Sequence, residues 1–281
     1  MSAFTSAPGL SQPPILQVKH LTRRFGGIVA NNDISFDVAK GSITALIGPN
    51  GAGKTTVFNC ITGFYGVTSG EIHIHTHNTT QEVGALLNRP FTGGSYLVAR
   101  AGVARTFQNI RLFKDMTVLE NLLVAQHQRT DNNLWRGMLI SDRFMEHEYR
   151  VLEHAHEWLE IMDLQGYANR LAGELSYGRQ RRLEIARSMC TSPSLICLDE
   201  PAAGLNPRET EQLAELIEQL RDEHQVTVLL IEHDMGLVMD ISDHIIVLDY
   251  GRVIASGDPE AIRNSPEVIA AYLGTEAEDV V

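Results

Sequence analysis

Short apolar runs alternate with helical patterns in the first and last parts of the chain. Residues 42–47 predict a buried strand, and after a glycine-rich turn the pattern of Val57–Thr62 predicts a helix. Three later apolar runs also predict strands: Leu195–Leu198, Val226–Ile231 and Ile245–Leu248. A helix is predicted at Arg208–Arg221, between the first two of them. This alternation of strands and helices is typical of a parallel, doubly wound α/β core.

Two further strands are predicted before this core. Ile15–Leu21 and Ile34–Val38 lie on either side of a turn at Arg24–Gly27. Because nearby strands joined by a turn pair in opposite directions, we expect an antiparallel β layer beside the parallel sheet.

The middle of the chain has a helical pattern instead. From Thr117 to about Arg187 apolar residues recur at helical spacing, for example in Val118–Leu123 and in Val151–Leu164. We therefore expect a helical subdomain between the two β-containing parts. Near the end, Asp258-Pro259 and Ser265-Pro266 predict two helix starts, and Gly274 is expected to end the second helix.

A run of alternating residues carries a cluster of histidines. His73, His75 and His77 fall on one face of a predicted strand at Glu71–His77. Neighbouring side chains on one strand face rarely complete a metal site, so a solvated face is favoured over a metal site, and the role of the histidines stays open. The polar stretch Asn78–Ser95 predicts a loop.

Composition narrows the possible classes of protein. The 281 residues are 43% hydrophobic, which is typical of a packed globular chain. A formal net charge of −12 argues against a nucleic-acid partner. No apolar run is long enough to span a bilayer, and no signal-peptide pattern is present, so a cytosolic chain is expected. Cys60, Cys190 and Cys197 are expected to be reduced core residues.

The glycine-rich turn has the spacing of a phosphate-binding loop. Its residues are Gly48, Pro49, Asn50, Gly51, Ala52, Gly53, Lys54, Thr55 and Thr56. Glycines allow successive N–H groups to point inward, and the start of a helix adds partial positive charge. Lys54 is placed to reach the outer phosphates, and the Thr55 hydroxyl to coordinate Mg²⁺. The sequence therefore predicts a nucleoside triphosphate, with ATP as the first candidate.

Other polar residues follow the predicted strands. Asp199 and Glu200 end one of them, where ligands bind in open α/β sheets, and His233 follows the next. Asp199 suits Mg²⁺, whereas Glu200 is the candidate that polarises the attacking water. His233 is a candidate for contact with the γ-phosphate or with Glu200. Gln108 is a further candidate ligand of Mg²⁺.

A second phosphate-binding helix start decides the family. Ser176, Tyr177, Gly178, Arg179 and Gln180 follow Leu175 at the start of a predicted helix. From about Ile15 to Gly274 the chain resembles the ATP-binding subunit of an ABC transporter, with that family's ATPase fold. Ser176 and Gly178 match the family's LSGGQ segment, whereas Tyr177 replaces its first Gly and Arg179 its Gln.

The resemblance implies roles for particular residues. Two such subunits pack head to tail, so that ATP on one phosphate loop is completed by the signature segment, 176–180, of the other. Phe25 corresponds to the aromatic residue that stacks on adenine and Gln108 to the lid residue. Glu200 and His233 correspond to the catalytic glutamate and the switch histidine. The loop 203–206 corresponds to the one that crosses the dimer interface.

Longer runs point to one branch of the family. These runs are Gly102–Asn109, Leu183–Arg187, Ile231–Met235 and Ala271–Gly274, and they are similar to the branched-chain amino acid (Leu/Ile/Val) importers. The resemblance implies a second ATP-binding subunit, paralogous or identical, two transmembrane permeases and, indirectly, a solute-binding protein. The expected place is the cytoplasmic face of the inner membrane, peripheral through the permeases. A lipopolysaccharide-export ATPase, a soluble ABC ATPase without a transport role and a P-loop kinase remain alternatives.

We divide the chain into five segments on this basis. They are a flexible leader (1–14), a nucleotide-binding core with the antiparallel layer (15–105), a helical subdomain with the signature segment (106–187), an α/β part that completes the ATP site (188–257), and C-terminal helices with an acidic tail (258–281).

Overall fold

The computed structural model describes residues 13–76, 79–126 and 142–278 and has an α/β fold. In chain order its strands are β1 (Leu16–Phe25), β2 (Ile28–Val38), β3 (Ile43–Ile47), β4 (Ser69–Thr76), β5 (Thr79–Glu82), β6 (Val103–Arg105), β7 (Leu195–Asp199), β8 (Thr227–Ile231), β9 (His244–Asp249) and β10 (Arg252–Gly257). Its helices are α1 (Lys54–Ile61), α2 (Val83–Leu87), α3 (Ser95–Arg100), α4 (Val118–Ala125), α5 (Asp142–Ile161), α6 (Tyr177–Met189), α7 (Pro207–Asp222), α8 (Met235–Ile241), α9 (Pro259–Arg263) and α10 (Pro266–Glu278).

The central sheet has the strand order β10-β9-β3-β8-β7-β6. Strands β9, β3, β8, β7 and β6 run parallel, and β10 adds an antiparallel edge that the sequence analysis did not predict. Every residue of β3, β7 and β8 is buried, because the parallel sheet is covered on both faces. The predicted parallel core is confirmed.

Alternate residues of the central strands enter two different hydrophobic clusters. On β7, Ile196 and Leu198 pack in the cluster that contains the helices α4 to α8, whereas Leu195 and Cys197 pack in the cluster that contains α1. This follows from the period of two along a strand. The sheet thus separates a core beneath the helical subdomain from a core beneath the antiparallel layer.

The antiparallel layer has the strand order β2-β1-β4-β5. Its buried face includes Leu16, Val18 and Ile72, which belong to the same cluster as Phe58 of α1. Strands β1 and β2 extend to the turn at Gly26 and Gly27, so the predicted antiparallel layer is confirmed with longer strands.

The helical subdomain contains α4, α5 and α6, as predicted, with short 3-10 turns at Gln165–Tyr167 and Ala172–Glu174. Helix α4 begins at a capping box. The Thr117 hydroxyl accepts from the Glu120 N–H at 3.1 Å, and the Glu120 carboxylate accepts from the Thr117 N–H at 2.7 Å.

The prediction of a loop at Asn78–Ser95 is wrong for the described residues. Strand β5 pairs with β4, and Glu82 caps α2 by accepting from the N–H groups of Gly84 and Ala85. Val83 and Leu86 are buried. A polar edge strand and a five-residue helix are too short for periodicity to reveal them, and pairing with β4 decides their structure. Asn78 and His77 lie outside the described residues.

The C-terminal helices begin where predicted. Asp258 accepts from the Ala261 N–H at 2.8 Å, and Ser265 from the Val268 N–H at 3.4 Å. The expectation that Gly274 ends the second helix is wrong, because α10 continues to Glu278. A glycine inside a helix costs about 1 kcal/mol relative to alanine, which weakens a helix without necessarily ending it.

The three cysteines are buried core residues, as expected, and none of them forms a disulfide within the described residues. Burial raises the pKa of the Cys60 thiol to about 11 and that of the Cys197 thiol to about 12. None of the helices in the described ranges combines the length and apolarity needed to cross a membrane.

Candidate nucleotide-binding site

The phosphate loop connects β3 to α1, as predicted. Strand β3 ends at Ile47, α1 begins at Lys54, and among the described residues no side chain caps this helix start. The first N–H groups of α1 are therefore left for an external acceptor. Such a helix start favours an anion.

Two glycines of the loop leave no room for a side chain. A Cβ atom would lie 2.0 Å from the Leu248 carbonyl oxygen at Gly48 and 2.7 Å from the Ala30 carbonyl oxygen at Gly53. Both residues also have a positive φ, +146° and +94°. Only glycine fits such positions without strain, so the backbone itself fixes the cradle.

Lys54 lies folded over this loop. Its buried ammonium group donates to the carbonyl oxygens of Gly48 at 2.6 Å and Pro49 at 3.0 Å. Burial lowers the pKa of Lys54, and the negative charge of Glu200 partly opposes that shift. From behind the loop, Asn31 of β2 donates to the Gly53 carbonyl at 3.2 Å, a support that sequence reasoning missed.

The loop forms the floor of an open groove of about 430 Å³, the phosphate-loop groove. Its walls are Ile28, Val29, Ala30, residues 50–56, Glu200, His233 and Tyr250. Phe25, the predicted adenine-stacking residue, packs edge-to-face against Tyr65 with ring centroids 5.2 Å apart. The Arg23 guanidinium lies 4.5 Å from the centre of the Phe25 ring.

Glu200 is held at both carboxylate oxygens by the two residues that the sequence analysis grouped with it. Gln108 Nε2 donates to one oxygen at 2.6 Å, and His233 Nε2 lies 3.0 Å from the other. The backbone of Glu200 is left-handed, with a φ of +47°, and its N–H donates to the Ile231 carbonyl at 2.9 Å. This conformation costs about 1–2 kcal/mol outside glycine and turns the carboxylate away from the line of β7.

Asp199, the predicted Mg²⁺ ligand, forms a buried ion pair. Arg105 Nη2 donates to Asp199 Oδ2 at 2.7 Å, and Nη1 donates to Asn59 Oδ1 at 2.6 Å and to Thr62 Oγ1 at 3.1 Å. Sequence reasoning missed the role of Arg105. No local signal identified it, because Asn59, Thr62 and Asp199 are close to Arg105 only in the folded chain.

The residues expected to bind Mg²⁺ offer oxygen donors of the kind that Mg²⁺ prefers. Arg105 donates to Oδ2 of Asp199, so Oδ1 would be the carboxylate oxygen offered to a metal. Gln108 donates its amide N–H to Glu200, so its amide oxygen would be the acceptor offered to a metal, and Thr55 lies in the wall of the groove. These donors fit the ion.

Glu232 is another residue that sequence reasoning missed. Its buried carboxylate accepts from the Ala202 N–H at 2.7 Å and from the His233 N–H at 3.0 Å. Burial raises the pKa of Glu232, and these N–H groups oppose the shift. Glu232 therefore ties Ala202, which directly precedes the loop at 203–206, to the backbone of His233.

The signature segment lies at the start of α6. Ser176 precedes the helix, and within the described residues it does not cap it with its side chain. Gln180 Nε2 donates to the Leu175 carbonyl at 2.8 Å, and the Arg179 guanidinium lies 4.4 Å from the centre of the Tyr167 ring. Tyr177 is half exposed.

Ser176, Gly178 and Arg179 line a second groove, of about 370 Å³, the signature groove. In the described part of the chain, the two grooves share no lining residue. The signature segment therefore does not line this chain's own phosphate-loop groove.

The histidines of β4 have partners within the antiparallel layer. His73 Nε2 lies 2.9 Å from Glu71 Oε2, and His75 Nδ1 lies 2.9 Å from Thr80 Oγ1. Their rings stack with centroids 6.3 Å apart.

Comparison with known proteins identifies the family. The ABC transporter family matches residues 31–203, and the family described as branched-chain amino acid ATP-binding cassette transporter matches residues 252–278. This chain is an ABC transporter ATPase. It hydrolyses ATP, and membership of the family implies membrane permease partners and a dimer of ATPase subunits.

Curated relatives of the ATPase include two bacterial proteins. The chain is 54% identical to the high-affinity branched-chain amino acid transport ATP-binding protein BraF of Pseudomonas aeruginosa, with 93% of this chain and 98% of the relative covered. It is 52% identical to LivG of Escherichia coli, which has the same descriptive name, over the same shares of the two chains.

Solved structures confirm the ABC ATPase fold. The ADP conformation of MJ1267, an ATP-binding cassette of an ABC transporter, is 31% identical and has a TM-score of 0.77, with 94% of this chain and 100% of the other covered. A nucleotide-free ATP-binding cassette from an ABC transporter is 32% identical, with a TM-score of 0.75 and coverage of 92% and 98%.

Proposed function

We propose that this ATPase powers the import of branched-chain amino acids. Its relatives are named for high-affinity transport of these solutes, and this supports the proposal. The alternative of lipopolysaccharide export has no support among these relatives. In the proposed complex the ATPase lies at the cytoplasmic face of the inner membrane, peripheral through two permeases, with a paralogous or identical second ATPase and a solute-binding protein.

The phosphate loop binds the triphosphate of ATP in this proposal. The free N–H groups at the start of α1 and the Lys54 ammonium group surround the groove floor. When phosphate oxygens enter, they take over donors that Lys54 now gives to Gly48 and Pro49. Because the charged lysine is already desolvated, an incoming anion relieves the unfavourable burial.

Thr55, Gln108 and Asp199 would hold Mg²⁺. The ion supplies charge neutralisation for the phosphates and orients them. Arg105 fixes the rotamer of Asp199 and balances its charge until the site is filled.

Glu200 polarises the attacking water. Gln108 and His233 hold its two oxygens, so the carboxylate is oriented before water arrives. Its remaining lone pairs can accept a hydrogen bond from a water and increase the nucleophilicity of that water. His233, whose backbone N–H is held by Glu232, lies 3.0 Å from the oxygen that Gln108 does not contact.

The signature segment of a second subunit completes the site. The separate positions of the two grooves support this, because Ser176 and Gly178 line a groove that shares no described lining residue with the phosphate-loop groove. Phe25 is proposed to contact adenine with Val29 and Tyr250, which line the groove.

The observation that carries the ATPase part of the proposal is the position of Glu200 in the same groove as Lys54, with both carboxylate oxygens held, and the 54% identical relative carries the solute. The test uses proteoliposomes that contain the ATPase, its second ATPase subunit, the two permeases and the solute-binding protein of the proposed complex. Leucine, isoleucine or valine should stimulate ATP hydrolysis and be taken up, whereas lysine should not. Hydrolysis stimulated only by another solute would contradict the assigned substrate, and absence of uptake with any amino acid would contradict import.

A further inference from the structure

A buried ion pair lies on the signature helix, away from the phosphate loop. Arg181 and Glu184 of α6 are one turn apart, with Arg181 Nη1 2.9 Å from Glu184 Oε2, and each side chain is only 1% exposed. Burying two charges costs several kcal/mol each unless further hydrogen bonds satisfy them. The remaining polar partners of the pair therefore indicate what it does.

Those partners belong to the lid segment, which we define as residues 106–111. Arg181 donates to two successive carbonyl oxygens, that of Phe107 at 2.7 Å and that of Gln108 at 2.9 Å. Glu184 accepts from the Arg111 N–H at 3.1 Å. The planar fork of an arginine suits two neighbouring acceptors, and a lysine could not reach both in the same way.

The lid segment depends on these contacts because it lacks regular structure of its own. No helix or strand is present between β6 and α4 in the described chain. Burial raises the pKa of Glu184, while the N–H groups of Arg111 and Phe107 and the charges of Arg181 and Arg187 oppose the shift. The pair and the lid thus stabilise each other.

The same guanidinium also contacts the signature segment. Arg181 Nη2 donates to the Tyr177 hydroxyl at 3.2 Å. Tyr177 in turn packs over Gly204 of the loop at 203–206, where a Cβ atom would lie 3.2 Å from its ring. Tyr177 stands where the family's LSGGQ segment has glycine, so this link is made by a side chain that the LSGGQ consensus lacks.

These contacts form a continuous path within one subunit. It runs from Tyr177 to Arg181, from Arg181 to the backbone of Gln108, and from the Gln108 side chain to Glu200 at 2.6 Å. One end lies at the segment that would complete the partner's ATP site, and the other at the carboxylate of the subunit's own site.

We infer that Arg181 and Glu184 are positioning residues that link the signature segment to Gln108. Through this link, ATP bound between the phosphate loop of one subunit and the signature segment of a second subunit sets the geometry of Glu200 in the second subunit. This inference rests on the proposed composite site. It assigns to a buried pair a role in communication between two ATP sites, in addition to packing of α6.

The test compares the wild-type ATPase with the double variant Arg181→Met/Glu184→Met, which replaces the buried pair by apolar side chains of similar length. Such replacements are often neutral for stability, so the variant is expected to fold. Arg221→Met is the matched control, since Arg221 forms ion pairs with Asp222 and Asp243 outside both grooves. Thermal unfolding monitors the fold of each variant.

Three quantities separate positioning from packing. Affinity for a fluorescent ATP analogue in the isolated subunit should stay within about 2-fold of wild type, because the phosphate loop is intact. The maximal hydrolysis rate should fall by roughly 3- to 30-fold, the range expected when coupling contacts are removed. The Hill coefficient for ATP should fall from about 2 toward 1. Arg221→Met should change none of the three.

A double variant that folds and keeps both the wild-type rate and the Hill coefficient would overturn the inference. Should the double variant not fold, Tyr177→Phe decides, since it removes only the hydroxyl that contacts Arg181, from a residue that is itself half exposed. A Hill coefficient lowered with unchanged analogue affinity supports the link, and an unchanged coefficient contradicts it. Failure of the proposed composite site is distinguishable, because the wild-type chain itself would then show no cooperative hydrolysis.

Discussion

The phosphate loop and the lid segment are both irregular, and both adjoin Glu200, yet they are held in different ways. Residues 48–53 are fixed by their own backbone, because Gly48 and Gly53 lie against carbonyl groups. Residues 106–111 are fixed by side chains from α6, more than 70 positions later in the chain. A site made by backbone has a local sequence signature, whereas a site held by distant side chains does not.

The largest effect is expected where the two regions meet. Glu200→Gln keeps the contact geometry but removes the charge that polarises water. Hydrolysis should fall by about 10²- to 10⁴-fold while affinity for ATP stays within a few-fold. Steady-state phosphate release and equilibrium binding measure the two quantities, and size-exclusion chromatography with ATP should show a trapped dimer. Unchanged turnover would remove Glu200 from the chemistry.

The phosphate-loop side of the comparison is tested next by Lys54→Ala. Loss of a charge-assisted contact with phosphate costs about 1.5–3 kcal/mol, so ATP affinity should fall by roughly 10- to 150-fold. Isothermal titration calorimetry measures this loss. Lys40→Ala is the control, because Lys40 is exposed and outside the phosphate-loop groove. Equal affinities for the two variants would refute the assigned site.

The claim that backbone fixes the loop is tested by two glycines with positive φ. Gly53 has no room for a Cβ atom, whereas at Gly41 nothing lies within 4 Å of one. Gly41→Ala should lower the free energy of unfolding by about 1–2 kcal/mol through strain alone, and Gly53→Ala by about 1–3 kcal/mol more through the clash. Urea denaturation measures both changes. Equal losses would show that the loop can move aside.

The smallest effect concerns how readily local unfolding exposes α1, which follows the phosphate loop, and α6, which holds the lid segment. Cys60 lies in α1, between the two sheets, and Cys190 lies at the end of α6. In variants with a single remaining cysteine, Cys190 should react with a thiol reagent roughly tenfold faster, because the helical subdomain covers only one face of the sheet. Faster labelling of Cys60 would reverse the comparison.

The pH dependence of Cys60 labelling has a defined sign. Burial raises the thiol pKa to about 11 from an ordinary 9.0, so the folded state disfavours the thiolate. The contribution of the Cys60 thiol to the free energy of unfolding is therefore fully present below pH 9 and declines as the pH rises toward 11. Labelling should stay slow at pH 8 and accelerate across that window.

Sequence alone predicted the strands and helices whose hydrophobic pattern is regular. Uniform apolar runs identified β3, β7 and β8 because both faces of that sheet are covered. It failed at β5 and α2, whose polar residues are ordered by pairing with β4 and by burial of Val83 and Leu86. The five segment boundaries stay a prediction.

The candidate site shows the same division. Gly48 to Thr56 and Glu200 were identifiable because each lies in a short run with its own chemistry. Arg105 and Arg181 were not, since each acts on residues that are close only in the folded chain. The roles of Phe25 and of the remaining site residues stay predictions.

The alternate packing of the central strands restricts how this chain can vary in length. Because Ile196 and Leu195 belong to different cores, one residue added within β7 would exchange the two faces for every later position of that strand. After α2, residues 88–93 are exposed and lie outside both sheets. Insertions and deletions should therefore accumulate between residues 88 and 93, which also makes this stretch the suitable place to introduce a reporter label.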